Sequence, residues 1–304
     1  MIKEALSRLS IKILIVIGVV FAAMLLALWV DLDDRVYSQW FSSPSSDASR
    51  TNAVWLHDYQ ANLQRKKVAG VEKNLSGITF NPDSGTLWVI INQPQQLIEL
   101  DADLVPLRTI MLENFSDTEA VAYAGNNTFV IADERDHTIA VATVDRDTRW
   151  LDRNELPRIT LKLGGSENKG LEGVAIDPKT NLIYAVQERN PLKLITVTGL
   201  IDGKPGIEIG VPTGINVNEL YLDDLSGLHF DSETGHLLIL SHEAKLLAEV
   251  NMDGQKISYI DLEAGFNGLT DDIPQAEGVT LDSDGNLYIV SEPNLIYRFS
   301  KEHQ

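Results

Sequence analysis

Apolar residues in this chain come in short runs broken by the same polar punctuation. Leu171-Glu172-Gly173-Val174-Ala175-Ile176 leads into a polar turn at Asp177–Asn181, and Leu182-Ile183-Tyr184-Ala185-Val186 returns to Gln187-Glu188. Two such runs around a Gly/Asn/Asp turn predict a β-hairpin. The pattern occurs five times. Ser76-Gly77-Ile78 turns at Asn81–Gly85 and returns to Asn92-Gln93, and Glu119-Ala120-Val121 turns at Gly125–Asn127 and returns to Asp133-Glu134. Ser226-Gly227-Leu228 turns at Asp231–Gly235 and returns to Ser241-His242-Glu243, and Glu277-Gly278-Val279 turns at Asp282–Asn286 and returns to Ser291-Glu292. A period of roughly 40 to 55 residues is that of propeller blades, not of helical solenoids.

Other alternations fill out the blades. Ile159–Leu163 and Ile257–Leu262 are candidate fourth strands, and the final repeat has strands near 278–282, 286–291 and 295–299 but then ends. Trp55, His57, Tyr59, Ala61 and Leu63 alternate along 54 to about 64, so this stretch is the candidate to complete the last blade by pairing with 295–299. A ring avoids exposed edges only if that strand is supplied. The reading is an all-β, five-bladed β-propeller over 54–304. Asp152–Leu156 and Asn218–Asp224 suit single helical turns, and inserts at 145–170 and 199–224 are expected to decorate neighbouring blades.

Before the propeller, Ile13–Val30 is an unbroken apolar run without a charge, long enough to span a bilayer. Lys3, Arg8 and Lys12 precede it and Asp31, Asp33 and Asp34 follow, which orients the N-terminus to the cytoplasm and the body to the far side. A cleaved signal peptide is the alternative. The run is longer than a usual signal core and has no clear small-x-small site behind Leu28-Trp29-Val30, so 1–30 is read as an uncleaved transmembrane anchor. Residues 31–53, rich in Ser and Asp, have the composition of a periplasmic tether.

Among the 304 residues there are 44 acidic and 25 basic side chains, for a formal charge of −19. The basic excess of 1–30 makes the remainder more acidic still, which sets nucleic acid aside as a partner. With no cysteine, disulfides, thiolate metal sites and a cysteine nucleophile are excluded. No Gly-x-Ser-x-Gly elbow, phosphate loop or His-Glu-x-x-His occurs.

The acidity has two readings: solubility alone, or a site for a cation. In a propeller the first strand of each blade lines the axis and the second runs antiparallel to it, so the residues opening the one and closing the other share a face. These are Ser76 with Asn92/Gln93, Glu119 with Asp133/Glu134, Glu172 with Gln187/Glu188, Ser226 with His242/Glu243, and Glu277 with Ser291/Glu292. Asp117, Asp223, Asp224, Asp271 and Asp272 feed the same mouth. Crowded carboxylates raise one another's pKa, and a hard cation resolves the conflict. Six to eight oxygen ligands in tolerant geometry suit Ca²⁺. Glu119, Glu172 and Glu277 are the leading candidate ligands, followed by Glu134, Glu188 and Glu292. Backbone capping by an acidic residue at a strand start is the competing explanation. His242 is either a general base or a polar rim residue.

The same hairpins resemble the SdiA-regulated, YjiK-like family of bacterial proteins. The likeness is carried by Asn126–Asp136, Leu237–Glu243, Gln275–Val279 and Gly285–Asn294, the last also similar to an NHL-type repeat. The resemblance implies a five-bladed propeller tethered to the bacterial inner membrane, a shared calcium site and a part in calcium homeostasis. It brings no established enzymatic activity. The expected function is a periplasmic calcium-binding module for binding or sensing. A calcium-dependent hydrolase of esters, lactones or phosphate esters is the enzymatic alternative, and a scaffold is the third.

Overall fold

The computed structural model describes residues 16–22, 50–162, 170–189, 191–203 and 206–301. The chain divides into two compact units, Met1–Ser43 and Pro44–Gln304. In the first, residues 16–22 are helical with exposed side chains. The rest of the Ile13–Val30 run and the tether up to residue 49 lie outside the described residues. Among the described residues no helix is long and apolar enough to cross a membrane.

The second unit is a five-bladed β-propeller. Strand β1 (Tyr59–Lys67) completes the last blade, and the first comprises β2 (Leu75–Asn81), β3 (Thr86–Asn92), β4 (Gln95–Leu100) and β5 (Pro106–Glu113). The second comprises β6 (Thr118–Gly125), β7 (Thr128–Asp133), β8 (Thr138–Thr143) and β10 (Arg158–Thr160). Between its last two strands, β9 (Trp150–Asp152) reaches back to pair in parallel with β5, the decoration expected of the 145–170 insert. The third is β11 (Leu171–Asp177), β12 (Leu182–Gln187), β13 (Lys193–Thr198) and β14 (Glu208–Gly210). The fourth is β15 (Gly227–Asp231), β16 (His236–Ser241), β17 (Leu246–Val250) and β18 (Lys256–Asp261). The fifth is β19 (Ala276–Leu281), β20 (Leu287–Ser291) and β21 (Leu295–Lys301), with β1 outermost.

Burial explains why the strands read differently in sequence. The second strands, such as β3 and β16, are sandwiched between neighbouring blades and are apolar on both faces. Outer strands have one wet face, so β5 alternates exposed and covered positions. The hairpin turns have a common device: Asn81, Asp177 and Asp282 each accept the backbone N–H two residues on, at 2.9, 2.9 and 3.0 Å. Apolar layers between blades form the core, as where Trp88 and Ile90 of β3 pack with Phe129 and Ile131 of β7.

Near the axis the first strands approach backbone to backbone. A Cβ on Gly278 would lie 2.9 Å from Cα of Gly77, one on Gly77 2.9 Å from the Glu119 carbonyl oxygen, and one on Gly227 3.0 Å from that of Glu277. Only glycine permits this spacing. The axis is thereby pinched, leaving a void of about 10 Å³ lined in part by Glu172 and Glu277.

Closure uses the strand the sequence offers, but not as an extended segment from residue 54. β1 pairs antiparallel with β21 from Tyr59↔Lys301 to Lys67↔Leu295. Ahead of it, Trp55 is left-handed (φ 57°) and Leu56–Asp58 forms a 3-10 turn. The alternation of Trp55 and His57 therefore does not mark a strand. A buried carboxylate is the reason. Glu249 on β17 accepts the N–H groups of Val54 and Trp55 at 2.7 and 2.9 Å, and it also binds His236 Nδ1 and Ser258 Oγ. Ser258 Oγ in turn accepts Leu56 N–H at 2.8 Å. Glu249→Ala leaves two buried N–H groups without partners and is expected to destabilise the propeller by about 3 kcal/mol, read by chemical denaturation.

Candidate metal centre

The polar residues at the acidic mouth are placed by two repeating backbone irregularities. Pairing along the first hairpin skips a residue between Leu75 and Gly77, Thr118 and Ala120, Leu171 and Gly173, and Ala276 and Gly278. Each skipped residue (Ser76, Glu119, Glu172 and Glu277) sits in a bulge, which takes it out of the ladder and re-aims its side chain. Ser226 holds the same position in blade four, where its N–H still reaches Leu240 O at 2.9 Å.

The second irregularity lies at the end of the second strand or just past it. There Asn92, Glu134, Glu188 and Glu292 each donate a backbone N–H to the carbonyl two residues before the bulge: Asn74, Asp117, Gly170 and Gln275, at 3.2, 2.8, 3.2 and 3.0 Å. The fourth member by position is His242. The mouth thus has two tiers, Ser76/Glu119/Glu172/Ser226/Glu277 and Asn92/Glu134/Glu188/His242/Glu292.

This register separates residues that the sequence pairs together. Asp133, Gln187, Ser241 and Ser291, which end the second strands, are fully buried. Asp133 holds the loop below, accepting Ser116 N–H at 2.8 Å and Asp117 N–H at 3.1 Å and pairing with Arg153 at 2.9 Å. Asp224 and Asp272 are likewise structural: Asp224 binds Ser241 Oγ and Glu243 N–H, and Asp272 pairs with Lys245.

Four of the six glutamates read from the sequence converge. Asp117, Glu119 and Glu134 form one group, and Glu134, Glu172 and Glu188 another, each with one oxygen per residue within 4.8 Å of the others. Glu277 stands beside them on the axis, close enough for its charge to act on Glu172. Glu292 lies outside both groups, under the influence of Lys73 and His242.

Burial pushes the Glu119 carboxyl up to about 8, against the hydrogen bond it receives from Asn92 Nδ2 at 2.5 Å. Glu172 is raised well above the carboxylate range, first by burial and then by Glu119, Glu134, Glu277 and Glu188. Glu277 is raised by burial and by Glu119. Burial also raises Glu134, although Gly170 N–H donates to it at 3.0 Å. Two cations of the chain edge into the cluster. Arg189 bridges Glu188 and Glu243, the latter at 2.6 Å, and Arg135 pairs with Asp117 at 2.9 Å. Asn92 falls at the mouth by its repeat position, but nothing in the sequence marks it or Gly170 as a donor to the glutamates.

The donor set fits a hard divalent ion. Carboxylate, amide and hydroxyl oxygens dominate. Donors within 4.8 Å of one another need only a small inward adjustment, if any, to share one ion at calcium–oxygen distances of roughly 2.3–2.6 Å.

The family model for SdiA-regulated proteins matches residues 51–300, the whole ring from the Glu249-bound segment to β21. The chain belongs to the SdiA-regulated family. Among solved structures, this SdiA-regulated propeller is similar to regucalcin from Agrobacterium tumefaciens, with 16% identity, a TM-score of 0.51 and coverage of 79% of this chain and 94% of that one. It also matches a gluconolactonase from Xanthomonas campestris, with 12% identity, a TM-score of 0.44 and coverage of 80% and 95%. At these identities the likeness is one of fold.

Proposed function

We propose that the acidic mouth binds Ca²⁺ and that the propeller is a calcium-dependent binding or sensing module, with a part in calcium homeostasis. It would be held on the periplasmic side of the bacterial inner membrane by the apolar run Ile13–Val30. One observation carries the calcium reading: Glu119 and Glu172 belong to two groups of carboxylates whose oxygens converge within 4.8 Å, and burial raises both carboxyls and that of Glu277 on the same axis. Such a cluster holds protons until a stronger counter-cation replaces them. Regucalcin, described as a calcium-binding protein, shares the fold, which is compatible support at the level of architecture alone.

The functional consequence is local. A bound ion neutralises the mouth, draws Glu134 and Glu188 inward and frees Arg135 and Arg189 from part of their present pairing, changing what the face presents to a partner. The anchor reading rests on the length of the apolar run and the basic residues before it.

A second reading, a calcium-dependent hydrolase, is favoured by His242 alone. It shares the tier of Asn92, Glu134, Glu188 and Glu292, on an arc where Ser226 replaces a glutamate, which would leave room for a substrate beside an imidazole. A bound metal would supply polarisation of an ester or phosphate oxygen.

Calorimetric titration of the chelator-stripped full chain with Ca²⁺, and with Mg²⁺ for comparison, tests the site. Saturable binding that favours calcium is expected. Heat indistinguishable from dilution at millimolar Ca²⁺ would return these glutamates to capping and solubility. Turnover of model esters or lactones only with calcium, lost in His242→Gln, would move the conclusion to the enzymatic reading.

A further inference from the structure

On the other side of the glycine constriction the axis opens again. There a solvent-reached cavity of about 540 Å³ lies among the hairpin turns, within the range of small-molecule sites. It shares no residue with the acidic groups of the opposite mouth.

Its floor is polar. Thr79, His229 and Thr280 occupy equivalent positions in three first strands, with Ala122 and Ala175 in the other two. The two threonines are fixed by the neighbouring blades, accepting Tyr123 N–H at 3.0 Å and Phe80 N–H at 3.2 Å. His229 makes no hydrogen bond to a described residue. Burial drives its imidazole down to about 4, so at neutral pH the ring is uncharged and retains a lone pair for a donor from within the cavity.

The wall is aromatic and held in place. Phe80, Tyr123 and Phe230 follow those floor residues in their strands. Phe230 stacks on Tyr184 at 5.5 Å, and Tyr123 is braced by Phe129 at 5.1 Å and by its hydroxyl bond to Asp83. The rim is acidic, with Asp83, Asp231, Glu233, Asp282 and Asp284 against Lys301 and against Lys179, whose ammonium donates to the Ser232 carbonyl at 2.7 Å. Asp231 and Asp282 are engaged in their turns. The carboxylates of Glu233 and Asp284 are exposed and bond to no described residue, leaving their charge directed at whatever enters.

An aromatic wall attracts a cation through its ring faces, an acidic rim focuses positive charge, and a neutral imidazole accepts an N–H. An anion is disfavoured on the same grounds. The geometry points to a binding site for a small primary amine with an apolar body, at the end of the axis opposite the acidic mouth. The apolar part would lie against Phe80, Tyr123 and Phe230, with the ammonium group between His229 and the rim.

The full-length protein, titrated with 2-phenylethylamine and followed by calorimetry or saturation-transfer NMR, tests this directly. N-acetyl-2-phenylethylamine and 3-phenylpropionate serve as neutral and anionic probes of similar shape. Saturable amine binding is expected, with the acetylated probe weaker by about tenfold or more and the anion not bound. Glu233→Gln combined with Asp284→Asn, which leaves the turn hydrogen bonds intact, should weaken the amine severalfold, and His229→Phe should fill the floor and prevent binding. Equal binding of the three probes, full affinity in the Glu233/Asp284 double variant, or no amine binding up to millimolar concentration would each overturn the assignment. The double variant decides the matter even if His229→Phe fails to fold.

Discussion

Replacing Glu172 with Gln is expected to lower the affinity for Ca²⁺ by about tenfold or more, about 1.4 kcal/mol, while leaving the propeller folded. Glu172 belongs to the group shared with Glu134 and Glu188, and its carboxyl feels four other glutamates. Losing its charge would remove a proposed ligand from the cluster. The fold should persist because Val174 and Ile176, beyond the bulge, pack in the core without reference to the mouth, and because the amide relieves like-charge repulsion. Calorimetry on both proteins gives the ratio, and an unchanged affinity would remove Glu172 from the site.

The same cluster fixes the sign of the pH dependence. Glu119, Glu172 and Glu277 have folded-state pKa values above the unfolded carboxylate value, so the metal-free native state binds more protons than the unfolded chain. Stability contributed by these groups is then lost as pH rises, from the ordinary carboxylate range through about 8 for Glu119. Thermal melts in chelator should fall between pH 6 and 9, and calcium should restore them most at the upper end. Calcium affinity should rise over the same interval, with protons released on binding and seen as a buffer-dependent heat. A chelated protein that grows more stable toward pH 9 would contradict the raised carboxyls.

A chain beginning at Val68 is expected not to fold, whereas one beginning at Arg50 should melt as the full propeller does. The cut removes β1 and with it the outer partner of β21 along the register from Tyr59↔Lys301 to Lys67↔Leu295. It removes Leu56 and Tyr59 from the layer between blades four and five and leaves the Glu249 carboxylate without its two backbone donors. The open ring would expose a strand edge and an apolar layer at once, conditions that favour aggregation. Circular dichroism and limited proteolysis read the outcome. A peptide covering residues 50–67, added in trans, should rescue a soluble fold by β-augmentation. Cooperative melting of the shortened chain at the full-length temperature would refute closure by this strand.

The hairpins were legible in the sequence because they are local. A second strand buried on both faces must be a continuous apolar run, as in Leu237–Leu240, and a turn that uses its own Asx side chain must have Asn or Asp at its start, as at Asn81 and Asp282. The missing fourth strand of blade five was legible for a related reason, since a ring tolerates no unpaired edge. Register alone gathered the hairpin ends, with Glu119, Glu172 and Glu277 among them, at one mouth.

What tertiary structure decided is which residue of each adjacent pair faces the axis, and what it meets there. Strand side chains alternate with period two, so the bulge at Glu119 re-aims that carboxylate, and across the hairpin Glu134 joins it while Asp133 ties down a loop. Asn92 beside Glu119, Arg189 on Glu243, and Glu249 gripping Val54 and Trp55 join residues that are far apart in the chain. The glycine constriction that divides the axis into an acidic mouth and an aromatic cavity is of the same kind. Local composition sets which way a short segment folds, but the partners of a side chain on the axis are chosen by five blades packing around it.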